Sequence, residues 1–227
     1  MPRTAAPRRR PRRVIRRLAV AAAIGAAPAA APAAASAASG AGSGLAGAGS
    51  TFTSYPGLAA RLIDNSILPL PADGATIAGV QNVLDWATFG MSMNMPLVRA
   101  RFSLRAGALD ELQNTGGVRF VNWSAPLATV SVSSFDVVWV QGPTPRGWLS
   151  AEIDNDPARR ITLFDLDFAH ATQQVVGGRV VISDIQLVLT ALGQSTLAGA
   201  LHTDAFVVGE TCGSFAAGFP LASADGT

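Results

Sequence analysis

Arg160 to Ala169 reads RITLFDLDFA, and its side chains sort by parity. Thr162, Phe164, Leu166 and Phe168 fall on one side, and Ile161, Leu163, Asp165 and Asp167 on the other. Successive side chains of an extended chain point to opposite faces, so a period of two marks a strand with one dry face and one wet one. The pattern recurs. Thr88 to Leu104 sets Phe89, Met91, Met93 and Met95 on one face, then Leu97 or Val98, Phe102 and Leu104 beyond Pro96. A proline cannot donate to a ladder, so Pro96 predicts an edge or a bulge. Thr129 to Val140 alternates through Val130 and Val132, then changes phase to Phe135, Val137 and Trp139, which predicts a bulge at Ser133-Ser134. Val118 to Val121 and Trp148 to Ile153 read as shorter strands.

Gly177-Gly178 predicts a hairpin turn joining Arg160–Ala169 to Arg179–Thr190. In the second of these strands Ile182 is even, whereas Ile185, Leu187 and Leu189 are odd. All four reach one core only if a bulge lies near Ser183-Asp184 or both faces are buried. Helical spacing occurs twice. PGLAARLIDNSI carries Leu58, Leu62, Ile63 and Ile67 behind Pro56, and is stopped by Pro69, Pro71 and Asp73-Gly74. ALGQSTLAGAL carries Leu192, Thr196, Leu197, Ala200 and Leu201. From Thr203 the chain reads as loop. Many short strands with Gly/Pro punctuation and two short helices predict a mainly β fold, an antiparallel β-sandwich or open barrel capped by one or two helices.

The first 17 residues hold eight arginines and no acid. An apolar run from Leu18 to Ala27 and a small-residue stretch ending Ala35-Ser36-Ala37 follow. That order predicts a signal peptide over residues 1–37, with Ala35 as a second choice of cleavage site. Twin arginines at Arg12-Arg13 and Arg16-Arg17 leave both the twin-arginine and the general secretory route open. Pro28, Pro32 and Ser36 interrupt the stretch that a membrane anchor would need, so no span is expected after cleavage. Residues 38–50, rich in Gly, Ala and Ser, predict a linker, and 51–227 a single secreted domain. Export also changes the charge. The whole chain is +2, but with eight of its 17 basic residues removed, nine face 15 acids, a net of −6. An acidic mature chain disfavours nucleic acid as a partner. Its single cysteine, Cys212, cannot form an internal disulfide and reads as a partly buried free thiol.

Few patterns carry chemistry. Asp165 and Asp167 share a strand face and lie downstream of Asp154 and Asp156, which suits a Ca²⁺ site or an acid/base pair. The solvated face of an antiparallel strand predicts the same spacing. His170 and His202 make no metal-ligand spacing, and no GxSxG nucleophile elbow occurs. Met91, Met93 and Met95 suit a soft metal or an adaptable binding surface, or plain core. Trp123, Trp139 and Trp148 suit a sugar-binding face or buried packing.

Five segments together resemble a group of secreted actinobacterial domains related to the HtaA family of haem-uptake proteins. They are TGGVRF at Thr115–Phe120, SVSSFDV at Ser131–Val137, GWLSAEID at Gly147–Asp154, ARRITLFDLDFAHA at Ala158–Ala171 and VVISDIQLVLTALGQSTLAGAL at Val180–Leu201. The likeness spans roughly residues 115 to 209. It implies haem handled by a Tyr near the domain start, here Tyr55 in FTSY, and by a His. Asn122 and Trp123 follow Arg119-Phe120 where that His would stand, which leaves His170 as the partner. The expected function is thus a secreted, non-catalytic binding domain. Its partner would be a small molecule or a cell-envelope component, in the medium or loosely held at the envelope. A haem carrier is the alternative, and a hydrolase using Asp165 or Asp167 the second.

Overall fold

Alternation dictates long strands here, and strands with one dry face must close on something. In the computed structural model they close on themselves. Residues 48–81, 90–103, 108–124, 126–140 and 145–220 are described; the expected signal peptide lies outside them. The elements run β1 (Gly49–Ser54), α1 (Pro56–Asp64), β2 (Ile67–Ala72), β3 (Thr76–Gln81), β4 (Gly90–Ser103), β5 (Ala108–Asn114), β6 (Gly117–Asn122), β7 (Ala128–Val140), β8 (Arg146–Ile153), β9 (Asp156–Asp167), β10 (Thr172–Val176), β11 (Arg179–Leu189), α2 (Ala191–Leu201) and β12 (Thr211–Pro220). Eight of the strands form a ring, β1-β4-β5-β7-β8-β9-β11-β12 and back to β1, with every pairing antiparallel. The β7–β8 pairing closes it, so the mainly β fold is a closed barrel with two helices. Among the described residues no helix is long and apolar enough to cross a membrane.

The remaining strands widen the wall. β3 and β5 lie end to end on one edge of β4, and β5 and β6 on one edge of β7. β2 adds to the outer edge of β6. The wall therefore splits, with β3 on one lip and β2 on the other. Pro96 sits where β4 passes from β3 to β5, a position with little need of its N–H. β10 extends β11 beyond its pairing with β9.

Both expected bulges are present. Ser134 has φ 52° and the β7–β8 register shifts between Ser133 and Asp136. Asp184 has φ 59° and the β11–β12 register shifts between Ile182 and Ile185. That shift turns Ile182, Ile185, Leu187 and Leu189 all inward, each at most 1% exposed. The two-glycine turn is real, with φ 57° and 73°, but it joins β10 to β11 rather than β9 to β11. β9 is still the antiparallel neighbour of β11, through Phe164–Asp167. Leu166 is buried, Phe168 half-buried, and Asp165 and Asp167 exposed, but Leu163, read on the wet face, is buried beside Phe164 because the β8–β9 register shifts there.

Three further expectations need correction. The linker stops short of residue 50, because Gly49 and Ser50 already belong to β1, which is paired on both edges. The segment after Thr203 is not all loop, because Thr211–Pro220 is a barrel strand burying Cys212, Phe215, Ala217 and Phe219. Pro69 and Pro71 do not merely end α1; they lie within β2, whose one paired edge is β6. An edge strand tolerates missing donors.

Candidate ligand cavity

The barrel's interior differs along its length. An eight-stranded barrel is just wide enough to be filled by side chains or to hold one small ligand. At one end Trp139 and Phe168 stack, ring centroids 4.4 Å apart and planes 19° off parallel. At the other, α1 and α2 form the cap. α1 packs on both β2 and β4, and α2 on β9, β7 and β6. Thr190 caps α2 by accepting from the Gly193 amide at 2.9 Å, and the Gly193 Cα lies so close to β9 that a Cβ there would meet Leu163 O at 2.6 Å. Arg61 holds α1 down. Its Nε donates to Ala205 O at 2.6 Å and its guanidinium pairs with Glu210.

Beneath this cap is a cavity of about 60 Å³. Met91, Met93 and Met95 of β4 form one wall, and Leu58 and Leu62 of α1 and Leu197 of α2 the roof. Phe135, Phe164 and Phe215 supply aromatic surface from three other strands. Two polar side chains contribute, and both are engaged. Ser54 Oγ accepts from Met91 N at 3.0 Å, and the Cys212 thiol faces Glu210 O at 3.7 Å. Burial, reinforced by Glu210 and only partly offset by Arg61, pushes the Cys212 thiol up to about 12. It stays a neutral thiol, a poor nucleophile and metal ligand. A lining of this kind offers water no partners, so the space is dry. Left empty, it costs on the order of 1.5 kcal/mol at the usual penalty per cavity volume.

The methionine stripe therefore faces this cavity. Trp139 belongs to the plug at the far end, whereas Trp123, just after β6, and Trp148, on β8, are exposed apart from each other. Tyr55 is the N-cap of α1, half-buried, its backbone N–H donating to Cys212 O at 3.0 Å. His170 is exposed in the turn after β9. The structure does not bring the two together. Tyr55 follows β1 and His170 follows β9, with β12 and β11 between those strands in the ring, and three strand spacings amount to roughly 14 Å. One iron cannot take both as they stand, so a haem here would rest on Tyr55 or His170 alone. His202 is the left-handed C-cap of α2 and is exposed. Asp154 begins the β8–β9 turn, accepting from Ser131 N and pairing with Arg159, far along β9 from Asp165 and Asp167. Among the described residues no three His, Cys, Asp or Glu side chains gather as a metal site.

On the outer wall, Arg160 of β9 bridges Asp136 of β7 at 2.7 Å and Glu152 of β8 at 2.6 Å, and donates to Ser134 O at 2.9 Å. This network ties three neighbouring strands across their solvent face. Sequence reading missed it because its members are 8 to 26 positions apart. It missed the cavity for a related reason: Phe215 and Cys212 lie on a strand read as loop.

No protein-family model and no curated protein matches the chain. Among solved structures, the C-terminal domain of HtaA from Corynebacterium glutamicum aligns with 75% of this chain and 94% of its own, at 12% identity and a TM-score of 0.46. No residue role passes between two chains at that distance.

Proposed function

We propose that this chain is an exported, non-catalytic binding domain that holds a small molecule inside its barrel. The observation that carries this reading is the dry cavity under α1 and α2, whose polar side chains are already bonded and whose thiol is held neutral. Catalysis needs an acid, base or nucleophile facing the reacting atoms. Asp165 and Asp167 face solvent instead, and Arg160 engages Asp136 and Glu152. Residues 1–37 supply the export signal, placing the domain in the medium or loosely at the envelope.

The test uses the secreted chain beginning at Ala38. Ester, glycoside, phosphate and peptide substrates should show no turnover. Turnover abolished by Asp165→Ala, Asp167→Ala or a single Ser or His change would overturn the reading in favour of a hydrolase. A haem titration is run beside it. A Soret shift lost in Tyr55→Phe, or in His170→Ala, would make haem the ligand and move the site from the cavity to that side chain.

A further inference from the structure

We infer that two copies of this chain pair through β10, joining their barrels edge to edge in one continuous sheet. The pairing does not depend on what the barrel holds. Among the described residues three strands have a paired neighbour on one edge only: β2 on β6, β3 on β4 and β10 on β11. A free edge presents unpaired N–H and C=O groups to any other strand, so edges are normally blunted by proline, a bulge or charge. Two of these three are blunted. In β2, Ser66 O accepts from Trp123 N, which continues the β2–β6 register. Bonding alternates along an antiparallel strand, so Leu68 and Leu70 bond to β6, whereas Pro69 and Pro71 face outward with no N–H to offer. β3 carries a bulge between Ile77 and Gly79. β10, Thr172–Val176, has no proline, no bulge and no charged residue.

The Gly177-Gly178 turn fixes which groups are open. Both glycines have positive φ, and Val176 pairs with Arg179 across them. The pair that flanks a two-residue turn is hydrogen-bonded. Thr172, Gln174 and Val176 therefore bond to β11, and Gln173 and Val175 turn their N–H and C=O outward. β8 does not continue alongside them, since its pairing with β9 ends at Trp148 and Asp165. A second β10, antiparallel about a two-fold axis at Gln174, satisfies this edge. Gln173 meets the partner's Val175, and Val175 meets the partner's Gln173. Each pair exchanges two hydrogen bonds, and no outward group of either residue is left over. Thr172 lies beside the partner's Val176, a close β-branched pair. Val175 and Val176, 56% and 58% exposed, are the valines this covers.

Charge selects the same arrangement. Without residues 1–37 the chain has nine basic residues against 15 acids, yet Phe168 to Gly178 holds no Asp, Glu or Arg, so copies meet there free of like-charge contacts. Exposed Asp184 stands at one end of the hairpin, next to Ser183, the cross-strand partner of Thr172, and Arg179 stands at the other. Antiparallel pairing turns Arg179 of each copy toward the acidic end of the other, roughly 14 Å away at three strand spacings. That favours this orientation over a parallel one, weakly at physiological salt, where the screening length is about 8 Å.

The paired strands are short, so the interface belongs to the small class, below about 1,200 Å² in total, and holds weakly. Sedimentation of the secreted chain beginning at Ala38 should show a mass rising from one copy toward two between about 10 µM and about 1 mM, the range of a weak association. Hydrogen exchange at the Gln173 and Val175 amides should slow over the same range. Val175→Pro removes an outward N–H that the chain itself does not use, and should stay monomeric throughout. Gln174→Lys and Gln174→Glu each set like charges against one another at the two-fold axis. Each alone should stay monomeric, and their equal mixture should dimerise, with native mass spectrometry showing the mixed pair. Urea midpoints check that the variants fold as the parent does. Gln174 is exposed, so the charge pair carries the test if Val175→Pro does not fold. A parent that is monomeric throughout would overturn the inference, as would a dimer that Gln174→Lys leaves intact. Dimerisation seen only in a chain ended at Pro220 would also overturn it, giving the edge to residues 221–227 instead.

Discussion

The two ends of the barrel solve the same problem with different materials. At the plugged end, Trp139 and Phe168 stack across Gly147, whose missing side chain is the room they use. A Cβ there would meet Val138 O at 2.6 Å, Phe168 Cζ at 2.9 Å and Leu166 Cδ1 at 3.0 Å. The packing comes at a cost, since Trp139 Nε1 is buried with no partner, a loss of about 1–3 kcal/mol. At the helix-capped end the wall is methionine and leucine, the roof is two short helices, and space is left over. Methionine fits irregular gaps and adapts, whereas stacked aromatic rings fix one arrangement. The difference teaches that the cavity does not reflect a barrel too wide to fill. The same ring of strands is filled tightly at one end and left adaptable at the other.

One substitution made at both ends should separate them most sharply. Gly147→Ala should destabilise by about 1–3 kcal/mol or more, because backbone and two packed side chains stand in the way. Gly199→Ala on α2 should instead stabilise by about 0.5–1 kcal/mol, because nothing lies within 4 Å of a Cβ there. Urea denaturation midpoints check both. If Gly147→Ala is tolerated as well as Gly199→Ala, the plugged end relaxes freely and the contrast between the ends fails.

The barrel's long walls were legible in sequence because most strands write their dry face in alternation, although β9 changes phase at Leu163, which is buried beside Phe164. Phe164 and Leu166 on β9 and the phase changes at Ser133-Ser134 and Ser183-Asp184 needed only local reading. α2 was equally plain, from Ala191 to Leu201. What stayed hidden was written in small residues. β1, GSTFTS, and β12, TCGSFAAGFP, are rich in Gly, Ala, Ser and Thr, and so read as linker and tail. They approach so closely that a Cβ on Gly213 would lie 2.2 Å from Thr53 O. Phe215, Ala217 and Phe219 do alternate, and that was the available signal. Closure of the ring is non-local, as is the cavity that depends on it. Asp165 and Asp167 illustrate the reverse: alternation alone accounted for them, and both are exposed.

The smallest expected effect concerns two arginine clasps. Arg61 clasps α1 at the capped end, and Arg160 clasps β7, β8 and β9 on the outer wall. The second clasp carries an internal conflict. Burial pushes the Asp136 carboxyl above its usual 3.8, Glu111 and Glu152 add to that push, and Arg160 and a hydrogen bond from Gln113 only partly offset it. A carboxyl whose pKa is raised on folding binds its proton more tightly in the folded state. Below 3.8 it is protonated folded and unfolded, and its ionisation costs nothing. As pH rises from there through the raised value, the unfolded chain releases the proton first and stability falls; above it the loss is constant. Asp136→Asn removes this titration. The variant's Tm, compared with the parent's at each pH, should therefore rise between about pH 3 and pH 7, while its net stability at pH 7 stays within about 0.5 kcal/mol of the parent. Thermal melts across that range read the difference directly. A difference that falls with pH would mean that Arg160 outweighs burial, and that this clasp is as free of conflict as the ties of β9 to α2.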